Sequence, residues 1–370
     1  MKYSLSECVD IISGGTPKKS ESKYWLSGTI PWVTVKDFKD KYITSTEQYI
    51  TKSGLKNSAV NLTKDKDVLI SARGTVGKLS LVNAGYTFNQ SIYGLRAHTN
   101  ILNPEYLYYW LTCNIQQIRQ NTHGSVFNTI TKETFNHIFI DLPSIEEQKT
   151  IIDKVNPFDN KIEINNQINN NLFKLAKIHF DRQLDSENIK FSQISTIQNG
   201  YAFKSKEYVD TNELMILRTK NINDNHLFSK NDVVYISKEL FDEYKRFSFS
   251  AFDTVLVMVG ASIGKTGFVT SNMTPSLQNQ NMWRFRPKMS NIPGLLIFQY
   301  VNYINKHIIG SATGSARSFY RKKLFSEFEV PRINSTNYIY FDTLQREIDH
   351  LNTENEILYR IKHSLLNHYF

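Results

Sequence analysis

The stretch Leu142-Pro143-Ser144-Ile145-Glu146-Glu147-Gln148 runs on through Asn156-Pro157 and a polar, asparagine-rich segment to Asp181-Arg182-Gln183-Leu184, and it decides how the chain is built. Pro143 ends an apolar, strand-like run (Ile138, Phe139, Ile140, Leu142). Ser144, with Glu147 three residues on, is a capping-box pattern that opens a helix. Asn156-Pro157 reads as a second start, a cap followed by proline at the first helical position, where its missing N–H is harmless. Beyond it Ile162, Ile168, Leu172, Leu175 and His179 recur at helical spacing, a thin apolar stripe on a polar rod. Such a helix needs a partner.

The partner lies near the C-terminus, where Val330-Pro331 ends another apolar run. Leu344, Ile348, Leu351, Leu358 and Leu365 then keep a heptad-like spacing with Asn355 among them. Moving one helix by 189 residues sets Ile168 on Ile357, Leu172 on Ile361 and His179 on His368. The rest of the chain repeats at offsets of 184 to 190. The turn Ser13-Gly14-Gly15-Thr16-Pro17, carrying Lys18 and Lys19, matches Asn199-Gly200 with Lys204 and Lys206. The strand running into Lys36 matches one carrying Arg218 and Lys220. Ser71-Ala72-Arg73-Gly74-Thr75-Val76-Gly77-Lys78 matches a segment ending Ile263-Gly264-Lys265. Asn89-Gln90 matches Asn279-Gln280, trailed by Arg96 and Arg286 respectively. A helix follows in each half.

These matches predict an α+β fold with a pseudo-two-fold internal repeat: two repeated bodies separated by two long helices. The divisions fall at 1–142 for the first body, 143–184 for a central helical spacer, 185–330 for the second body and 331–370 for a C-terminal helical spacer. The helices are antiparallel by topology, since the first leaves body one for body two and the second can only return.

With 370 residues, 40% apolar and 13% aromatic, the chain can bury two or three cores, so disorder is not expected. Its apolar runs are short of a membrane span and residues 1–12 build no signal-peptide core; a cytoplasmic protein without a membrane partner is expected. Cys8 and Cys113 have no paired spacing, so neither a disulfide framework nor a zinc site is implied. Residues 1–142 hold 16 basic and 11 acidic groups, and 190–330 hold 18 and 11. The helical segments are slightly acidic, with 6 and 8 in 143–189 and 4 and 5 in 331–370. Basic bodies on acidic helices suit a chain whose bodies meet a polyanion while its helices meet protein.

Taken together, the repeat, the glycine turn at residues 73–77, the Asn-Gln pair and Leu-Pro-Ser-Ile-Glu-Glu-Gln before a long helix resemble the specificity subunit of type I restriction-modification enzymes. The resemblance covers the whole chain. It implies a non-catalytic subunit whose two target-recognition domains each read half of a split site in double-stranded DNA. It also implies helices that set the separation of the bodies and dock two methyltransferase subunits, through Glu146, Glu147, Gln148, Ile162, Ile168 and Leu172. Restriction-translocase subunits complete such a complex, and S-adenosylmethionine, ATP and Mg are expected on the partner subunits, not on this chain. Two departures stand out: Val330-Pro331-Arg332-Ile333-Asn334 lacks the Glu-Glu-Gln, and Gly260 stands where the first copy has Arg73.

No catalytic motif competes strongly. Residues 260–266 suggest a phosphate loop, but Val259 stands where that motif needs glycine. Asn103-Pro104-Glu105-Tyr106 is close to the tetrapeptide of amino-methyltransferases, yet it also starts a helix with Asn103 as cap. A self-contained methyltransferase or nuclease is the alternative that an activity assay would reveal, and a coiled-coil scaffold without DNA is the one that salt titration would separate. For DNA contact the candidates are cations and amides at strand ends and turns, because phosphates need cations and base edges need bidentate groups. They are Lys18, Lys19, Lys36, Arg73, Lys78, Asn89 and Gln90 in the first body. In the second they are Lys204, Lys206, Arg218, Lys220, Lys265, Asn279, Gln280, Arg317, Arg321, Lys322 and Lys323.

Overall fold

Asp67–Ser71, buried at every position, is the central strand of the first body. A computed structural model, which describes residues 2–120, 129–184, 187–210, 213–310 and 320–370, sets it between Leu79–Val82 and Ile92–Ala97, both antiparallel to it. Val9–Ser13 and Tyr42–Ile43 extend this sheet at its two edges. A smaller sheet pairs Ile30–Val33 with Gln48–Ile50 and, in parallel, with Thr87–Phe88. The second body repeats the plan. Thr254–Val257 lies between Thr266–Phe268 and Met282–Pro287, and Leu214–Leu217 pairs with Val234–Ile236 and Ser276–Gln278. Val9 faces Ala97 as Ser195 faces Pro287, and Trp32 faces Thr87 as Ile216 faces Leu277. The sequence repeat is therefore a repeat of hydrogen-bond ladders.

A helix covers the sheet built around Asp67–Ser71 or Thr254–Val257, Pro104–Gln120 in one body and Gly294–Gly310 in the other. The first starts as expected, with Asn103 Oδ1 accepting from Glu105 N at 2.9 Å. Its Leu107, Trp110 and Leu111 pack with Val68, Ile70 and Leu95. In the second body Leu296, Tyr300 and Val301 join Leu256 and Phe285.

The two spacers are the helices Ile145–Asp181 and Tyr338–Tyr369. Contacts group the chain into two compact units, Met1–Asp159 with Ile361–Phe370, and Asn160–Arg360. The helices run antiparallel within each unit. In the first, Lys154 donates to the Tyr369 hydroxyl (3.0 Å) and Lys362 to Asp159 (2.7 Å). In the second, Asn165 donates to Glu354 (2.6 Å) and His179 stacks on Tyr340. Asn166 and Asn355, equivalent at the 189-residue offset, hydrogen-bond each other at 3.1 Å.

The predicted second helix start at Asn156-Pro157 is not there; the helix runs through Pro157. Proline removes one backbone donor, but Asn156 is not available as a cap. Its Oδ1 accepts from Lys41 (2.6 Å) and Tyr109 (2.7 Å), and its Nδ2 donates to Glu105 (2.6 Å). The Ser144–Glu147 capping box forms as expected, Ser144 N donating to Glu147 at 2.8 Å. The start that lacks Glu-Glu-Gln is rebuilt: Asn334 caps Thr336, and Gln345 accepts from Leu295 N as Gln148 accepts from Asn103 N.

The expected stripe is displaced as well. The buried seam of the central helix is Ile162, Asn165, Asn169, Phe173, Ala176 and Phe180, while Ile168 and Leu175 are 38% and 45% exposed. Phe173 packs on the rings of His226, Phe268 and Phe298, and Phe180 on those of Tyr300 and Tyr303, which leaves Leu175 outward. Asn169 is fully buried, and neither of its polar atoms has a partner among the described residues. An orphaned buried amide costs about 1–3 kcal/mol. Asn169→Leu is therefore expected to raise stability by roughly 1–2 kcal/mol in urea unfolding at unchanged m.

Candidate nucleic-acid interface

Gly14 and Gly200 lie where each interface is assembled, since a Cβ on either would stand 2.0 Å from the carbonyl oxygen of Asn89 or Asn279. Glycine alone lets the first turn press onto the Asn-Gln pair. Asn89 N donates to Val33 O (3.0 Å), Ala72 N to Ser91 O (2.7 Å) and Gly15 N to Phe88 O (2.9 Å). These bonds bring the lysine-bearing turn, the strand end before Lys36, the glycine turn and Asn89-Gln90 to one edge of the first body. Asn279 N to Leu217 O (3.2 Å), Met258 N to Asn281 O (3.1 Å) and Tyr201 N to Gln278 O (3.0 Å) gather the second in the same way.

The glycine turn needs left-handed residues at both ends, with φ of 74° at Gly74 and 82° at Gly77, and 97° at Gly260 and 84° at Gly264. Ser71 Oγ fastens it, donating to Thr75 O (2.5 Å) and accepting from Lys78 N (2.8 Å). Lys36, Arg73 and Lys78 thereby converge on an open cleft of about 390 Å³ that Thr75 and Ser91 also line. Lys18, Lys19, Lys36, Arg73 and Gln90 are exposed, and Lys78 is half-buried. Asn89 Oδ1 accepts from Ser91 N (2.9 Å), and the Thr16 hydroxyl donates to Gln90. Exposed cations beside amides can clamp phosphates and meet base edges.

The second edge is more internally committed. Lys265 donates to Ile222 O (2.7 Å) and pairs with Asp224, Arg218 donates to the Asp232 carbonyl, and Lys220 pairs with the Asp232 carboxylate. Lys322 donates to Ile197 O (3.3 Å), and burial, with the charge of Arg246 second, pushes its pKa down. Lys204, Lys206, Gln280, Arg321 and Lys323 are exposed, and Asn279 is half-buried. Arg317 lies outside the described residues. The trailing arginines turn inward: Arg96 grips Asp67 through two bonds (3.0 and 2.8 Å) and Arg286 grips Asp253 (2.7 and 2.6 Å).

Of the docking candidates, Gln148 is fully buried, its amide donating to Ile101 O and Pro143 O. Ile162 is buried and Leu172 packs on the core, so these three face inward, correcting the expectation. Glu147 is exposed but held in the capping box, while Glu146 and Ile168 are open. Ile164 and Ile178, unremarked in the sequence, extend the row of Ile168 and Leu175, each 38–51% exposed. Ile357, the counterpart of Ile168, is 53% exposed.

A buried polar cluster also escaped the sequence reading. Lys41 bonds Tyr109 (2.7 Å), lies 3.4 Å from Asp159, and shares Asn156 with Glu105; Glu105 takes Lys66 (2.8 Å) and Tyr42 (2.8 Å). Burial raises the Glu105 pKa, but hydrogen bonds from Lys66, Asn156 and Tyr42 outweigh it and hold the carboxyl at about 2. A carboxyl depressed in the folded state adds stability that is complete above the ordinary value of 4.5 and is lost as pH falls towards 2. Wild type is expected to lose roughly 2–3 kcal/mol over that window that Glu105→Gln does not lose, measured by urea unfolding at each pH.

Comparison with known proteins agrees with this geometry. Residues 1–174 and 183–360 each match the model of the type I restriction modification DNA specificity domain. The chain belongs to that family. It is 30% identical over 162 residues to the EcoR124I/EcoR124II specificity subunit of Escherichia coli, a match spanning 42% of this chain and 40% of that one. The MjaVIII specificity subunit of Methanocaldococcus jannaschii is 22% identical over 83% of this chain and 79% of its own. A crystal structure of a type I restriction-modification S subunit from M. genitalium shares the fold, with TM-score 0.53 and 15% identity over 99% of this chain and 94% of that one. Among the described residues no helix is long and apolar enough to cross a membrane.

Proposed function

We propose that this chain is the DNA-reading subunit of a type I restriction-modification enzyme, each body recognising one half of a split duplex site. The observation that carries the reading is the convergence of Lys36, Arg73 and Lys78 on one open cleft beside Asn89-Gln90, on a ladder that the second body repeats. The chain itself is non-catalytic. It directs two methyltransferase subunits and the restriction-translocase subunits, which carry S-adenosylmethionine, ATP and Mg, to the site in the cytoplasm. The exposed row through Ile164, Ile168, Leu175 and Ile178 offers the docking face for a methyltransferase subunit, with Ile357 marking its repeat. Binding to duplex DNA is expected to weaken linearly in log affinity with log salt, and Arg73→Ala should reduce the slope by about one. Fluorescence anisotropy across a salt series checks this; affinity independent of salt would remove the reading.

A further inference from the structure

Leu26 is 76% exposed, the highest value among the large exposed hydrophobic residues described, at the tip of the turn Trp25-Leu26-Ser27-Gly28. The turn is held rigidly. Leu26 N donates to Ser22 O (2.8 Å) and Gly28 N to Trp25 O (3.1 Å), and a Cβ at Gly28 would stand 2.7 Å from the Tyr49 backbone. Ser27 takes φ 59°, a left-handed conformation that is costly for a residue with a side chain and that surrounding contacts must enforce. Trp25 anchors the base of the turn edge-to-face on Trp32, in a small core with Ile30, Leu55 and Ile50. Apolar shelter thus lies one residue away, yet Leu26 stands outside it.

The turn belongs to the interface edge. Trp25 Nε1 donates to the carbonyl of Lys18 (3.3 Å), and Trp32 Nε1 to that of Gly15 (3.0 Å), so it is tied to the lysine-bearing loop that packs on Asn89-Gln90. Lys18 and Lys23 beside it are 73% and 66% exposed at the side chain and share Glu21 as a loose partner (3.6 and 3.8 Å), and Lys19 is exposed too. An apolar tip on a strained, fixed turn, flanked by cations, matches the chemistry of a wedge pressed between base pairs while lysines hold the phosphates on either side.

We infer that Leu26 is an apolar wedge that enters the duplex held by the first body, whatever its sequence, and locally unstacks it. The inference rests on the DNA-binding reading, and the test separates the two. The full chain is titrated against a 40-base-pair random-sequence duplex carrying dyes at both ends, across a salt series, for wild type, Leu26→Ser, Leu26→Met and Lys18→Ala/Lys19→Ala. The wedge predicts that Leu26→Ser weakens binding about tenfold with an unchanged salt slope, because no counterion is involved, and abolishes the dye-distance change. Leu26→Met should keep both at the wild-type level, and the lysine pair should lower the slope by about one to two, since Lys18 lies beside Glu21. Wild-type binding without salt dependence would sink the DNA reading itself. Salt-dependent binding that Leu26→Ser leaves intact would overturn the wedge alone.

Discussion

Asp253→Ala is expected to destabilise the second body by about 3–5 kcal/mol, because it strands a buried charge. Asp253 is 1% exposed, takes both bonds of Arg286, accepts from Ser250 N at 2.8 Å and lies 3.9 Å from Arg284. A loss of that size is a large part of the about 5–15 kcal/mol that holds a domain together, so partial unfolding near physiological temperature should follow. Asp67→Ala removes the matching clamp in the first body, where Arg96 is 24% exposed, against 34% for Arg286 in the second. Among the described residues Arg96 is the one arginine paired with Asp67, whereas Asp253 also has Arg284, so the smaller cost belongs to the first body. Replacing Asp253 and Arg286 together by leucine and methionine should cost less than Asp253→Ala alone, since Arg284 is then the one cation at the site left without its carboxylate. Urea unfolding of the set decides it; a loss under about 1 kcal/mol for Asp253→Ala would contradict the clamp.

The second large effect concerns binding. Lys36→Ala, Arg73→Ala and Lys78→Ala combined should weaken the complex with duplex DNA roughly a hundredfold or more at moderate salt and flatten the salt slope by about three. All three line one cleft. Lys220→Ala with Lys265→Ala should do less than two first-body changes, because Lys265 is already spent on Ile222 O and Asp224, and Lys220 on Asp232. Circular dichroism controls for folding, and equal losses from the two bodies would show that the internal bonds of the second open on DNA.

What was legible in the sequence follows from where the constraint lies. Gly14, Gly74, Gly77 and their counterparts announce the turns because their backbone positions tolerate no other residue cheaply, and Asn89-Gln90 recurs because the ladders beneath it recur. The helix seam was misread by one position because asparagine occupies two of its buried sites, 165 and 169, and alanine a third. A hydrophobic pattern cannot register a buried amide. The Lys41 cluster was invisible for another reason: its bonds join residues far apart in the chain, from Lys66 with Glu105 to Lys41 with Asp159, and no local pattern marks such pairs. Gln148 looked like an exposed docking residue for the same cause, since its partners Ile101 and Asn103 come from the body. Lys265 and Arg218 were taken from strand ends as open cations, and the carbonyls that hold them are contributed by loops elsewhere in the second body.

The most direct test is methylation mapping of host DNA with the gene present, deleted, and carrying a second body exchanged for that of a relative. The account predicts a two-part motif with a fixed unspecified gap, lost on deletion and changed in one half alone by the exchange. Methylation unchanged by deletion, or a continuous motif altered throughout by the exchange, would contradict it.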